Sequence, residues 1–131
     1  MRSWPAWLFG MILSISIALF ACGGNNHSLQ SVSVSPAAAT SSRAQFTATG
    51  IYNTMPASVD ITNTTAWCIG STSGLCSADV AAFAEVTSGL AQCAPGFTGT
   101  VTILAGQPAS HPGANQGYQL QPFGTAQLTC P

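Results

Sequence analysis

The chain reads as an all-β protein, an antiparallel β-sandwich that follows an export segment. Three observations carry this reading. Short runs alternate apolar and polar residues with the two-residue period of a half-buried strand, as in Ser31-Val32-Ser33-Val34-Ser35. Beyond residue 22 the composition is rich in Thr, Ser, Ala, Gly and Val and is punctuated by regular turn signals. No helical periodicity is found after Cys22. Several short alternating strands over about 100 residues suit a sandwich.

The export segment comes first. Met1-Arg2-Ser3 is a short cationic start, and residues 4–20 then run apolar through Met11-Ile12-Leu13, Ile15, Ile17 and Leu19. Leu19-Phe20-Ala21-Cys22 resembles the bacterial lipobox, in which a small residue precedes a cysteine that becomes lipidated. Phe20 stands where small or aliphatic residues are usual. The resemblance implies a cleavable lipoprotein signal helix over 1–21, cleavage after Ala21 and diacylglycerol on the Cys22 sulfur. The next stretch, 22–29, opens with Gly23-Gly24-Asn25-Asn26 and has the composition of a flexible tether. Gly23 is not the aspartate that favours inner-membrane retention in Gram-negative lipoproteins. The expected location is therefore the bacterial cell envelope, at the outer membrane or cell surface, with the membrane as partner through the lipid on Cys22. Two other readings fit the same residues: an uncleaved span, since about 18 apolar residues just cross a bilayer, and ordinary cleavage leaving Cys22 free.

Residues 30–131 make one domain. In order, 30–36 give a strand with Val32 and Val34 inward, ended or marked as an edge by Pro36. Residues 37–42 are a small, polar connection. Residues 43–52 give a strand with Ala44, Phe46 and Ala48 on one face, and 53–64 a longer connection carrying Pro56 and Asp60. Residues 65–69 give a strand in which Trp67 is expected to be the largest contributor to the core. Residues 82–87 follow, with Ala84 and Val86 inward, then a Ser88-Gly89 turn with Leu90 packed beneath. Residues 98–105 place Val101, Ile103 and Ala105 inward, and 124–130 offer Ala126 and Leu128.

Charge is nearly absent. The 131 residues carry two Lys or Arg and three Asp or Glu, and no lysine. After the signal only Arg43, Asp60, Asp79 and Glu85 remain. Nucleic acid is excluded as a partner, because neutralising phosphates needs clustered cations.

Four cysteines follow the tether: Cys68, Cys76, Cys93 and Cys130. Beyond an export signal they read as two disulfides. Three connectivities exist, and the favoured one is Cys68–Cys76, closing a short hairpin-like loop, with Cys93–Cys130 tying the last strand to the body. The chain-entropy model assigns them about 2.6 and 3.9 kcal/mol. Zinc is disfavoured, since no Cys-x-x-Cys pair or spaced His is present.

An ordered set of short pieces then resembles the group 2 bacterial immunoglobulin-like domain of intimin- and invasin-like surface proteins. The pieces are Val32-Ser33-Val34-Ser35-Pro36, then Gln45-Phe46-Thr47-Ala48-Thr49-Gly50 with Tyr52, and Asp60-Ile61-Thr62 ahead of Thr65-Ala66-Trp67. Ala84-Glu85-Val86 leads to Ser88-Gly89-Leu90-Ala91, followed by Gly99-Thr100-Val101-Thr102-Ile103 and Gly124-Thr125-Ala126-Gln127-Leu128-Thr129. The resemblance covers nearly all of 29–130. It implies an antiparallel Ig-like sandwich without enzymatic activity. The four cysteines, a long 70–79 segment and an insertion over 106–122 depart from it.

That insertion, with His111 and Tyr118, is the candidate binding loop, because a long connection in a small sandwich is either functional or solvated. No catalytic constellation is legible. His27 falls in the tether and His111 in a loop, so no Ser–His–acid set is expected. Asp60 is expected to bind backbone amides in a turn, and too few oxygen ligands cluster for calcium. The expected function is a non-enzymatic, lipid-anchored envelope domain with a structural or adhesive role and no cofactor. The alternative is a small module binding a glycan or an envelope protein through 106–122.

Overall fold

The computed structural model describes residues 26–77, 84–109 and 118–131, with strands, turns and connections and no helix among them. The signal segment 1–21, Cys22, Asp79 and His111 lie outside the described residues. Among the described residues ten strands run in order: β1 Leu29–Ser35, β2 Ala38–Thr40, β3 Arg43–Gln45, β4 Thr47–Tyr52, β5 Ser58–Asp60, β6 Ala66–Gly70, β7 Ala84–Thr87, β8 Leu90–Cys93, β9 Gly99–Pro108 and β10 Leu120–Cys130. They form three hydrogen-bonded sheets, β1-β4-β5, β3-β8-β7 and β2-β10-β9-β6. Every pairing is antiparallel except that of β2 with β10. The fold is all-β and sandwich-like.

The alternation in β1 sets its face. Val32 lies opposite Gly50 and Val34 opposite Ala48, and both valines are buried. Residues 43–52 form β3 and β4 rather than one strand. The break is at Phe46, whose N–H donates to the Gly89 carbonyl (2.7 Å). One run of chain thereby serves two sheets. The expected face persists through the break, with Ala44 half-buried and Phe46 and Ala48 fully buried.

Three strands form where the sequence reads as connection or turn. Within 37–42, β2 runs parallel to β10, Ala39 beside Leu128. Within 53–64, β5 lines β4, with Asp60 opposite Thr49. After the Ser88-Gly89 turn, Leu90 heads β8, which joins β7 to β3. Each is only three or four residues long and held by ladder bonds to its neighbours, so its own residues show little periodicity.

The main core gathers Val32, Val34, Phe46, Ala48, Ile69, Ala91, Val101, Ile103, Ala105, Ala126 and Leu128, drawn from all three sheets. Phe46, not Trp67, is the largest fully buried side chain. Trp67 is only half-buried and packs against this core from its edge, its indole N–H donating to the Thr62 carbonyl (2.8 Å). A buried indole N–H needs such a partner.

The disulfides are Cys68–Cys76 and Cys93–Cys130, with Cα separations of 5.7 and 5.9 Å. Cys93–Cys130 links β8 to β10, two strands of different sheets. Cys68–Cys76 belongs to a second apolar cluster with Leu104, Leu120, Tyr118 and Phe123. Leu104 alternates with Ile103 and Ala105 and therefore points away from the main core. The β9–β10 register shifts between Leu120 and Phe123, which turns Leu120 to the same outer face. Residues 71–77 fold over that face, with the Leu120 N–H donating to Gly74 O and the Cys76 N–H to Tyr118 O (both 2.9 Å). The two stretches that depart from the family-like pattern thus pack on each other.

Candidate functional site

A cleft of ≈ 520 Å³ opens at the end of the fold where β1 begins. Its walls come from Ser28 and Leu29 at the chain's entry, Tyr52 at the end of β4, Thr64 and Thr65 before β6, and Gln107 and Pro108 at the end of β9. Strand ends converge here because the antiparallel pairings Leu29 with Tyr52 and Ala66 with Gly106 bring the starts of β1 and β6 beside the ends of β4 and β9.

The entry segment is fastened to this end. The Asn53 side-chain amide donates to the Asn26 carbonyl (2.9 Å), and its amide oxygen accepts the Ser28 N–H (2.8 Å). The Asn53 N–H in turn donates to Ser28 O (3.2 Å). His27 stacks on Tyr52, centroids 4.1 Å apart and planes 7° from parallel. His27 Nδ1 and Thr54 Oγ1 share a hydrogen bond of 2.7 Å. Two aromatic rings in an offset or parallel stack bury apolar faces while leaving edges wet. Sequence reasoning assigned His27 to the tether and gave Asn53 no role. Nothing local in the sequence reveals the pairing, because its partners lie 25 to 27 residues apart.

The cleft's lining mixes polar with apolar side chains and includes no carboxylate, lysine or arginine. Thr65 Oγ1 donates to Gly106 O (2.8 Å) and Thr64 Oγ1 to Ile61 O (3.4 Å), so these hydroxyls are already committed to holding the wall. Beneath the cleft lies a buried polar node. Thr62 is the one buried polar residue among those described, and its hydroxyl oxygen accepts the Ala48 N–H (2.9 Å). Its N–H donates to Asp60 Oδ1 (2.9 Å). Hydrogen bonds from the Thr62 side chain first, and then from its backbone, hold the Asp60 carboxyl below the ordinary carboxylate value. Asp60 therefore makes the turn contact expected of it.

The sequence-derived site residues do not gather in this cleft. Tyr118 is half-buried in the second cluster, its hydroxyl donating to Trp67 O (3.4 Å). The loop expected over 106–122 is shorter, because β9 continues to Pro108 and β10 starts at Leu120. Strand pairing carries on past the apolar residues that marked the strands, through Gly106, Gln107 and Pro108. His111 lies outside the described residues, and the four cysteines are all engaged in disulfides. Among the described residues no three His, Cys, Asp or Glu side chains come together as metal ligands would. Comparison with known protein families, curated proteins and solved structures returned no match.

Proposed function

We propose that this chain is a non-enzymatic, lipid-anchored cell-envelope protein whose single Ig-like domain has a structural or adhesive role at the outer membrane or cell surface. The observation that carries the reading is the Cys93–Cys130 disulfide between sheets. Such a brace persists in oxidising compartments outside the cytoplasm, and the chain begins with a segment resembling a lipoprotein signal ending at Cys22. The Ig-like assignment draws support from the order of the family-like pieces along the strands. Val32 and Val34 fall on β1, Thr47 to Tyr52 on β4, Trp67 on β6, the Ser88-Gly89 turn between β7 and β8, and the closing pieces on β9 and β10. It draws support, too, from the passage of the first strand from β4 to β10 on either side of Pro36.

Intact mass of the membrane-extracted protein, with unreduced peptide mapping, tests this. A chain starting at Cys22, carrying acyl groups and holding both disulfides, is the expected result. Cys22→Ser moves the protein out of the membrane fraction. A chain that retains Met1 and bears no acyl group overturns the anchor.

The cleft favours a second reading, a small module binding an uncharged glycan or an envelope protein, to which Gln107 and Pro108 of the 106–122 stretch contribute. Gln107→Ala in the cleft, beside deletion of residues 110–117, with capture measured on a glycan and surface-protein panel, separates the two. Unchanged capture removes the loop from the binding role.

A further inference from the structure

We infer that the β4–β5 turn, with Met55 at its tip, rests on the lipid bilayer and sets the orientation of the domain on the membrane. The inference rests on the lipid anchor at Cys22 proposed above. Three residues separate Cys22 from Asn26, so their Cα atoms, four steps apart along the chain, lie at most about 14 Å apart. Asn26 is not free to swing, because Asn53 holds both it and Ser28, and His27 is stacked on Tyr52 and bonded to Thr54. The turn that begins at Asn53 is therefore leashed close to the acylated cysteine. The opposite end, at Cys130, lies on the order of 30 Å away along β10, beyond that leash.

What the turn presents suits a lipid surface. Met55 is 85% exposed, the most exposed large apolar side chain among the described residues, and Ile51 is the next apolar side chain along β4 to face outward. Residues 51–58 contain no acidic side chain; the one carboxylate of this hairpin, Asp60, stands at the far end of β5 from the turn. They contain no cation either, and the described arginine, Arg43, pairs with Gln92 at the far end. Contact is thus made by an unbranched apolar side chain entering the headgroup region, an adaptable group for an irregular surface.

The test uses the full-length acylated protein in vesicles of phosphatidylethanolamine and phosphatidylglycerol, with and without brominated acyl chains. Trp replaces Met55 in one variant and the exposed Thr98, at the Cys130 end, in another. Both are read as differences from the parent. Met55→Trp is expected to show a blue shift and strong loss of emission to bromine, and Thr98→Trp neither. Adding Asn53→Ala to Met55→Trp weakens the quenching, because the leash then swings. Acylated protein with equal quenching at both positions overturns the orientation while leaving the anchor intact. Protein whose mass lacks acyl groups overturns the anchor and the orientation together.

Discussion

Thr62 shows how much one small side chain decides. It accepts the Ala48 N–H inside the fold, supports Asp60 outside it, and its carbonyl takes the Trp67 indole. Thr62→Ala leaves the Ala48 N–H without a partner, and urea denaturation should register a loss of about 1–3 kcal/mol, with Thr62→Ser recovering much of it. Asp60 adds a pH dependence of definite sign. Its folded value is lowered, so its contribution is fully present above the unfolded value and disappears as pH falls through the folded one. The Asp60→Asn variant should accordingly lose stability less steeply than the parent below about pH 4 in denaturation series at stepped pH. At Phe46, fully enclosed between sheets, truncation to Ala should cost about 3–5 kcal/mol.

At the scale of the element, the β7–β8 hairpin turns on two residues. Ser88 and Gly89 both have positive φ, 49° and 76°, and Thr87 faces Leu90 directly across them. That is the turn whose twist matches antiparallel strands, and Asn-Gly is its preferred pair. Ser88→Asn should raise stability by about 0.5–1 kcal/mol, because asparagine tolerates the left-handed region better than serine. Gly89→Ala should do the reverse by about 1–3 kcal/mol, since its methyl would meet the Phe46 carbonyl that sits against the turn. Thermal melts of both variants check the opposite signs.

For the whole molecule, the two disulfides divide the labour. Cys93–Cys130 closes the longer loop and joins sheets, while Cys68–Cys76 fastens the cap of residues 71–77 over the outer face of β9 and β10. Replacing Cys93 and Cys130 by Ser should cost about 3.9 kcal/mol, against about 2.6 for Cys68 and Cys76. Hydrogen exchange should localise the second loss: the Leu120 and Cys76 amides exchange faster, while those of Ile103 and Leu128 keep their protection.

The sequence by itself determined the all-β class, the inward faces of β1, β4, β9 and β10, and the number of disulfides, because two-residue periodicity and cysteine count are local properties; which cysteines pair was settled by the fold. Tertiary structure alone decided that Phe46 rather than Trp67 fills the centre, that β2, β5 and β8 exist, and that the two long departures cover each other. It also brought Asn26 and His27 onto Asn53 and Tyr52, forming the end where the cleft opens. Those outcomes depend on ladder bonds and side-chain partners supplied by distant segments. A three-residue run such as Ala38-Ala39-Thr40 carries no trace of the neighbour that makes it a strand.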